Sequence, residues 1–202
     1  MTTGPRDSRR LLPLLAVLLL APACTRARPV LVPDPVVQAP DADNVSTGDS
    51  ATLAAPKALM VPVQGIDPSR VVDSYTAGRG GGRTHDAVDI MAPRGTPVLA
   101  AEDGTILQLR ENAAGGITIY QLDPSERFVY YYAHLERYQR GVREGDRVRQ
   151  GDVLGFVGTS GNAPDNLPHL HFQVMRYRGD GQYWGGEPVN PSGWFTQPGR
   201  RN

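Results

Sequence analysis

Cysteine and lysine are almost absent from this chain of 202 residues, in which Cys24 is the only cysteine and Lys57 the only lysine. A single cysteine excludes an internal disulfide bond. Because 21 basic residues balance 21 acidic ones, no excess of positive charge indicates binding to nucleic acid. No segment repeats its apolar residues with the helical period, whereas glycine (23) and proline (18) are abundant. These features favour a turn-rich β protein with one folded domain and extensions.

The N-terminus has the composition of an export signal. Arginines precede a short apolar run, residues 11–20, which is too short to span a bilayer as a mature helix. Small residues then lead directly to Cys24, which resembles the lipidated cysteine of a bacterial lipobox, although Pro22 departs from the usual pattern. We therefore expect residues 1–23 to be a lipoprotein signal peptide. The expected location is the cell envelope, in the periplasm, with the protein anchored to the outer membrane through Cys24. Simple secretion and a buried N-terminal helix are the alternatives.

The rest of the chain divides by composition into a linker, a domain and a tail. Residues 24–56 combine five prolines and scattered aspartates with no aromatic residue, and such a segment cannot bury enough apolar surface to become ordered. The folded domain is predicted over residues 57–195, followed by a flexible tail over residues 196–202. Short β-type runs between glycine turns predict an antiparallel, mainly β domain. The predicted strands are residues 71–75, 87–91, 97–101, 105–109, 117–121, 128–134, 147–150, 153–157 and 169–175.

Two of the four histidines, His169 and His171, lie two residues apart in an apolar, β-prone run. Side chains at such spacing point to the same face of a strand, so the two imidazoles would lie side by side. Leu170, Phe172 and Val174 would then face the core. Two imidazoles held on a stiff strand make half of a zinc site.

His85 and Asp89 provide a candidate for the other half of the site. They are four residues apart and share a face in an extended segment, and their side chains suit zinc. His171 would complete a His-Asp-His triad with a fourth position left for water, which is the pattern of catalytic zinc sites. A structural zinc site is the alternative. It would need a fourth protein ligand, and His134 or His169 would have to supply it.

His134 follows an aromatic run of the sequence. Strict strand alternation predicts that Phe128, Tyr130, Tyr132 and His134 share one face. A zinc ion activates water and polarises a carbonyl group. Neutral His134 and His169 beside the metal could then take the proton of the water and stabilise the tetrahedral intermediate.

A glycine-rich run, residues 78–83, precedes the first histidine. It is not a dinucleotide fingerprint, because it opens no helix and has no acidic partner in a βαβ unit. We expect a mobile loop at the rim of a cleft.

Together these runs resemble the lysostaphin-type (LytM-like) zinc endopeptidases of bacterial cell walls. The resemblance covers nearly all of residues 57–195. It rests on three motifs in order: His-x-x-x-Asp at 85–89, Tyr-Ala-His-Leu at 132–135 and Pro-His-Leu-His-Phe at 168–172. Flanking runs at 92–98, 101–104, 145–155, 158–162 and 189–191 also agree.

The resemblance implies a twisted antiparallel β-sheet with a loop-walled groove, of the duplicated hybrid motif type. It implies that His85, Asp89 and His171 bind one zinc ion and that His134 and His169 assist catalysis. The implied reaction is hydrolysis of peptide bonds in peptidoglycan. We expect D,D-crosslinks to be cleaved, since a lipoprotein signal suits an envelope with two membranes. Cell-wall or division-protein regulators are expected partners.

One position departs from the family pattern, and two other functions compete with hydrolysis. Ala87 replaces the usual glycine between the first two ligands, which would strain the backbone if φ is positive there. Some relatives have lost metal ligands and activate cell-wall amidases without catalysis, whereas all five site residues are present in this chain. A biotinyl or lipoyl carrier domain would need a lysine at its hairpin tip, and no lysine follows Lys57.

Overall fold

The structure is a computed structural model, and it describes residues 58–196. The predicted signal peptide (residues 1–23), Cys24, the linker (residues 24–56) and all of the tail after Thr196 lie outside the described residues. Within residues 58–196, every helix is too short or too polar to cross a membrane.

Thirteen strands and three short 3-10 helices make up the regular structure of residues 58–196. The strands are β1 (Leu59–Met60), β2 (Gly78–Arg79), β3 (Arg83–Thr84), β4 (Val88–Met91), β5 (Pro97–Leu99), β6 (Gly104–Asn112), β7 (Gly116–Leu122), β8 (Phe128–Tyr138), β9 (Arg147–Val148), β10 (Val153–Val157), β11 (His169–Arg176), β12 (Pro188–Val189) and β13 (Phe195–Thr196). The 3-10 helices are Pro68–Arg70, Gly80–Gly82 and Ser192–Trp194. The mainly β prediction is confirmed.

Nine of these strands form one sheet, in which β12, β11, β8, β7, β6 and β9 are neighbours in that order. Strand β4 pairs with β11, and β5 joins the sheet through β10, which pairs with β8. All pairings in this sheet are antiparallel, as predicted. The first half of β8 lies between β7 and β11, and its second half pairs with β10. Because β11 pairs with both β4 and β8, it brings separate parts of the sequence together.

Aromatic side chains from β8 and β11 form the centre of the core. Tyr130, Tyr132 and Phe172 are fully buried, and the rings of Tyr132 and Phe172 lie 5.2 Å apart. The Tyr132 hydroxyl accepts a hydrogen bond from Ala101 N at 3.0 Å and donates one to Gln121 Oε1 at 2.7 Å. The buried phenol is therefore satisfied, as burial requires.

The predicted alternation of β11 is confirmed. Leu170, Phe172 and Val174 are completely buried in the core. His169 and His171 belong to the other face of the strand, which is turned away from this core. Thus the strand that completes the core also presents two imidazoles on one surface.

The predicted strand over residues 71–75 is wrong, because this segment forms an irregular loop and a turn. Asp73 Oδ1 accepts a hydrogen bond from Tyr75 N at 3.0 Å, and Asn190 Nδ2 donates to Asp73 Oδ2 at 3.1 Å. Such side-chain bonds offer the backbone an alternative to a sheet ladder. Local turn chemistry thus outweighs the β propensity of Val71 and Val72.

The other predicted strands are present, one of them, β10, with the predicted ends and the rest with shifted ends. Strand β8 continues to Tyr138, beyond the predicted end at His134, and β9 is limited to two residues. The short strands β1, β2, β3, β12 and β13 were not predicted. Thr196, which was assigned to the tail, pairs with Met60 in the parallel β1–β13 pair.

The loop after β10 packs directly against the β6–β7 turn. Gly161 has a φ of +74°, and a Cβ atom added there would lie 2.3 Å from Gly116 N. Only glycine fits a left-handed position at such a close backbone approach.

We therefore predict that Gly161→Ala lowers the free energy of unfolding by about 2 kcal/mol, from left-handed strain and overpacking. Urea unfolding would measure the change. Gly193→Ala is the matched control, since Gly193 has no positive φ and nothing lies within 4 Å of its added Cβ. Equal midpoints for the two variants would contradict the close packing of the two turns.

Candidate metal centre

Three side chains from β11, β4 and the segment before β4 converge on one point. His85 Nε2 lies 2.9 Å from Asp89 Oδ1 and 3.0 Å from His171 Nδ1, and His171 Nδ1 lies 3.1 Å from Asp89 Oδ1. Asp89 and His171 are directly opposite each other in the β4–β11 pair, so their side chains share a face. His85, Asp89 and His171, which we call the ligand trio, are thus assembled as the sequence predicted.

The chemistry of the trio fits a divalent metal. His85 Nδ1 donates to Ser74 O at 2.9 Å, so in the neutral ring Nε2 carries a lone pair. That lone pair faces the carboxylate oxygen Asp89 Oδ1 at 2.9 Å, and the two atoms repel each other unless a cation or the Nδ1 proton of His171 lies beside them. A cation between the three atoms would relieve this repulsion. Their separations approach the edge of about 3.3 Å that a tetrahedron with zinc–ligand bonds of about 2.0 Å has.

Ser74 supports two members of the trio at once. Its carbonyl accepts the hydrogen bond from His85, and its hydroxyl accepts one from Asp89 N at 3.0 Å. Such outer contacts fix the tautomer and the orientation of metal ligands. Ser74 lies in the irregular loop that was predicted to be a strand, and the turn there directs both of its oxygens towards the site.

Arg79 holds the second oxygen of the carboxylate. Its Nη2 lies 2.6 Å from Asp89 Oδ2, which leaves Oδ1 to face the two imidazoles. Burial alone would raise the pKa of Asp89, but hydrogen bonds from His171 and Arg79 and the nearby His85 hold it well below the ordinary range. Burial also lowers the pKa of His85. Both shifts favour the forms that bind a metal, a carboxylate and a neutral imidazole.

The face predicted for His134 is wrong. Strict alternation would place it with Tyr132 in the core, but His134 has a φ of 62° and a bulge interrupts β8 at this point. Leu135 pairs with Ile117 and Tyr132 with Ile119, so β8 has one residue more than β7 between the pairs. The extra residue turns His134 to the trio's face, as bulges beside active sites do.

Two carbonyl groups hold His134 in this position. Its backbone N donates to Gly115 O at 2.7 Å, and its ring Nδ1 donates to Ser160 O at 2.8 Å. Burial lowers the pKa of His134 to about 4, although the bond to Ser160 acts in the opposite direction. The ring is therefore neutral at pH 7, with its lone pair on Nε2.

His169 lies beside His134 and next to the trio. The centroids of the two rings are 5.0 Å apart, and His169 Nδ1 donates to Leu167 O at 2.7 Å. His169 Nε2 lies 3.8 Å from Asp89 Oδ1, further away than the nitrogen atoms of the trio. The structure thus brings all five predicted site residues together, with three of them in contact and two adjacent.

A groove of about 440 Å³ opens over this arrangement. Its walls include His85, His134 and His171 together with Arg79 and Arg83 from the glycine-rich run. That run forms a small hairpin, β2–β3, in which Arg79 is paired with Arg83. The predicted rim position is confirmed, and its mobility stays a prediction.

Ala87 does not strain the site. It is completely buried, and the positive φ of this segment belongs to Asp86 at 58°. An alanine with negative φ is unstrained, so the departure from the family pattern costs little.

Comparison with known proteins agrees with the fold. The model of peptidase family M23 matches residues 83–191. The chain is similar to peptidoglycan DD-endopeptidase ShyC of Vibrio cholerae, with 36% identity over 93 residues, 46% of this chain and 20% of that protein. It is also similar to L-Ala–D-Glu endopeptidase of Bacillus subtilis, with 35% identity over 107 residues, 50% of this chain and 32% of that protein.

Among solved structures, Csd3 of Helicobacter pylori superposes with a TM-score of 0.54 and 25% identity, over 70% of this chain and 36% of that chain. The chain belongs to peptidase family M23. It spans only a third or less of the length of the two curated relatives named above.

The sequence did not reveal the residues that hold the site residues in place. Ser74 and Ser160 act mainly through backbone carbonyls, which no side-chain pattern marks. For Arg79 the sequence contains only a weak indication, which is its place in a glycine-rich run six residues before His85.

We predict that His134→Ala leaves one zinc ion bound, because His134 lies outside the trio. His171→Ala should remove the metal, because only two of the three side chains of the trio would be left to bind it. Metal content after dialysis, measured by atomic absorption, separates the two variants. Loss of zinc in His134→Ala would make His134 a ligand and favour a closed structural site.

We also predict that Arg79→Gln weakens zinc binding about tenfold, because Asp89 loses the contact that orients its carboxylate. Competition with a chromogenic chelator would measure the affinity. Arg83→Gln is the matched control on the opposite strand of the hairpin, where Arg83 bonds to the Gly80 carbonyl. Equal affinities for both variants would show that Arg79 does not orient Asp89.

Proposed function

We propose that this protein is a zinc-dependent endopeptidase that hydrolyses peptide bonds of peptidoglycan, with D,D-crosslinks as its substrate. The observation that carries the proposal is the ligand trio, which supplies three protein ligands and faces a groove. Structural zinc sites use four protein ligands, whereas catalytic sites keep one position open. Family membership and the activities for which the two relatives are named support the same conclusion.

The chain's own residues divide into two roles in this reaction. The trio would hold zinc, which supplies a Lewis acid for the scissile carbonyl and makes water more acidic. His134 and His169 both donate through Nδ1 to backbone carbonyls, so their Nε2 atoms are left for the substrate. One Nε2 can accept a proton from the attacking water, and the ring protonated in this way can stabilise the developing oxyanion and then give the proton to the leaving amine. In the neutral rings, these bonds from Nδ1 fix the tautomer in which Nε2 carries the lone pair.

The charge of the groove suits peptidoglycan stem peptides. These peptides carry free carboxylates, and Arg79 and Arg83 line one wall. Guanidinium groups bind carboxylates well. The relatives differ in the bond that their names specify, so the choice of a D,D-crosslink rests on the expected envelope and on similarity to the Vibrio enzyme.

The place of action that we propose is the periplasm, at the outer membrane. Residues 1–23 have the features of a signal peptide, and Cys24 follows them at the position of a lipidated cysteine. Residues 24–56 would then connect the anchor to the domain and give it reach towards the cell wall. Regulators of the cell wall or of division would contact the protein there.

Digestion of defined muropeptides by the full chain with zinc, followed by mass spectrometry, tests the proposal. We expect a D,D-crosslinked dimer to be converted to monomers, and a chelator or His171→Ala to stop the reaction. Gly193→Ala, a change far from the trio in sequence, should retain full activity. Products cut between L-Ala and D-Glu would overturn the D,D assignment. A zinc-loaded but inactive protein would favour the amidase activator, and turnover in excess chelator would contradict metal catalysis.

A further inference from the structure

Four aromatic rings continue from the trio, two of them on β7 and β8 and two in the segment between β11 and β12. Tyr131 meets His171 edge to face, with centroids 6.1 Å apart, and Tyr120 lies 4.7 Å from Tyr131. Tyr183 follows at 4.7 Å and Trp184 at 4.5 Å. We call Tyr131, Tyr120, Tyr183 and Trp184 the aromatic track.

Strand register places the first two rings of the track, Tyr131 and Tyr120, on the groove side of the sheet. Tyr120 and Tyr131 are directly opposite each other on β7 and β8, and Tyr131 is opposite Gln173 on β11. Gln173 and His171 are two residues apart and share a face. The core rings Tyr130 and Tyr132 belong to the other face of the sheet. The rings of the track are therefore not part of the hydrophobic core.

The far end of the track forms a shallow pocket of about 230 Å³. Its walls combine aromatic rings with polar side chains: Tyr120, Tyr183, Trp184, Arg110, Glu111 and Asn112. An apolar surface with a few polar groups at its edge is the usual composition of a ligand site. Tyr120 lines this pocket, and Tyr131, which contacts Tyr120, lines the groove over the trio.

Hydrogen bonds hold Tyr183 in place at this end of the track, whereas Trp184 is largely exposed. The Tyr183 hydroxyl accepts from Arg110 Nε at 2.8 Å and donates to Gln108 Oε1 at 3.0 Å. Trp184 contacts the Tyr183 ring, but 48% of its surface is exposed. Exposing a large indole costs hydrophobic free energy, which a ligand that covers the ring would recover.

We propose that the aromatic track and its terminal pocket bind the glycan strand of the substrate, with an N-acetylated sugar ring stacked on Trp184. A pyranose ring has a flat face of C–H groups that packs on an indole and a rim of hydroxyl and acetamido groups. Arg110, Glu111 and Asn112 offer both donors and acceptors to such a rim. This inference rests on the proposed function, because the stem peptide at the trio and its glycan strand belong to one polymer.

Binding of N-acetylglucosamine tetramer to the full chain tests the proposal without catalysis. The chain has two tryptophans, so the indole N–H signal of Trp184 is assigned in NMR spectra by its loss in Trp184→Phe. We expect the tetramer to shift this signal. Trp184→Ala should weaken binding about fivefold to tenfold, and Trp184→Phe should retain most of it, as one stacking contact predicts. Val72→Ala is the matched control, since Val72 is 72% exposed and lies outside the track.

Hydrolysis kinetics give the second arm of the test. The substrates are a crosslinked dimer that carries its sugars and the same dimer stripped of them. For Trp184→Ala, we expect KM to rise for the sugar-bearing dimer alone, with kcat retained. An equal effect on both substrates, or no response of wild type to the tetramer, would overturn the glycan site. Failure of wild type to hydrolyse either dimer would instead overturn the proposed function, and the tetramer titration would still decide the glycan site.

Discussion

The repulsion between His85 Nε2 and Asp89 Oδ1 is the constraint on which the rest of the site depends. Two lone pairs 2.9 Å apart are tolerated only beside a cation or a proton. Hydrogen bonds from Asp89 N and His85 Nδ1 to Ser74 prevent the pair from turning apart, and Arg79 fixes the remaining carboxylate oxygen. Holding these two lone-pair-bearing atoms together lowers the stability of the fold, and it prepares them to bind a metal.

The antiparallel register carries this constraint into the sheet. Because Asp89 and His171 are directly opposite on β4 and β11, a shift of one residue would move His171 into the core. The buried side chains Leu170 and Phe172 make that shift costly, so core packing also sets the geometry of the trio. The same register directs Tyr131 to the groove, which links the trio to the aromatic track.

The alternation of β11 could be predicted from sequence, because apolar residues and histidines mark its two faces unambiguously. The ligand trio could be predicted from residue type, spacing and family resemblance. The position of His134 could not, since a bulge depends on a one-residue mismatch between β8 and β7 that neither strand reveals alone. The loop at residues 71–75 was also missed, because the partner of Asp73 is Asn190, more than a hundred residues away. No sequence pattern around Trp184 indicates that this exposed side chain lies near Tyr120.

The proposed function depends on metal binding by the ligand trio and by no other side chain. A crystal structure of the zinc-loaded protein, with anomalous data collected on both sides of the zinc absorption edge, tests it most directly. We expect a single anomalous peak bonded to His85 Nε2, Asp89 Oδ1 and His171 Nδ1, with His134 and His169 beyond bonding distance. A peak with a fourth protein ligand, or one located away from the trio, would contradict it.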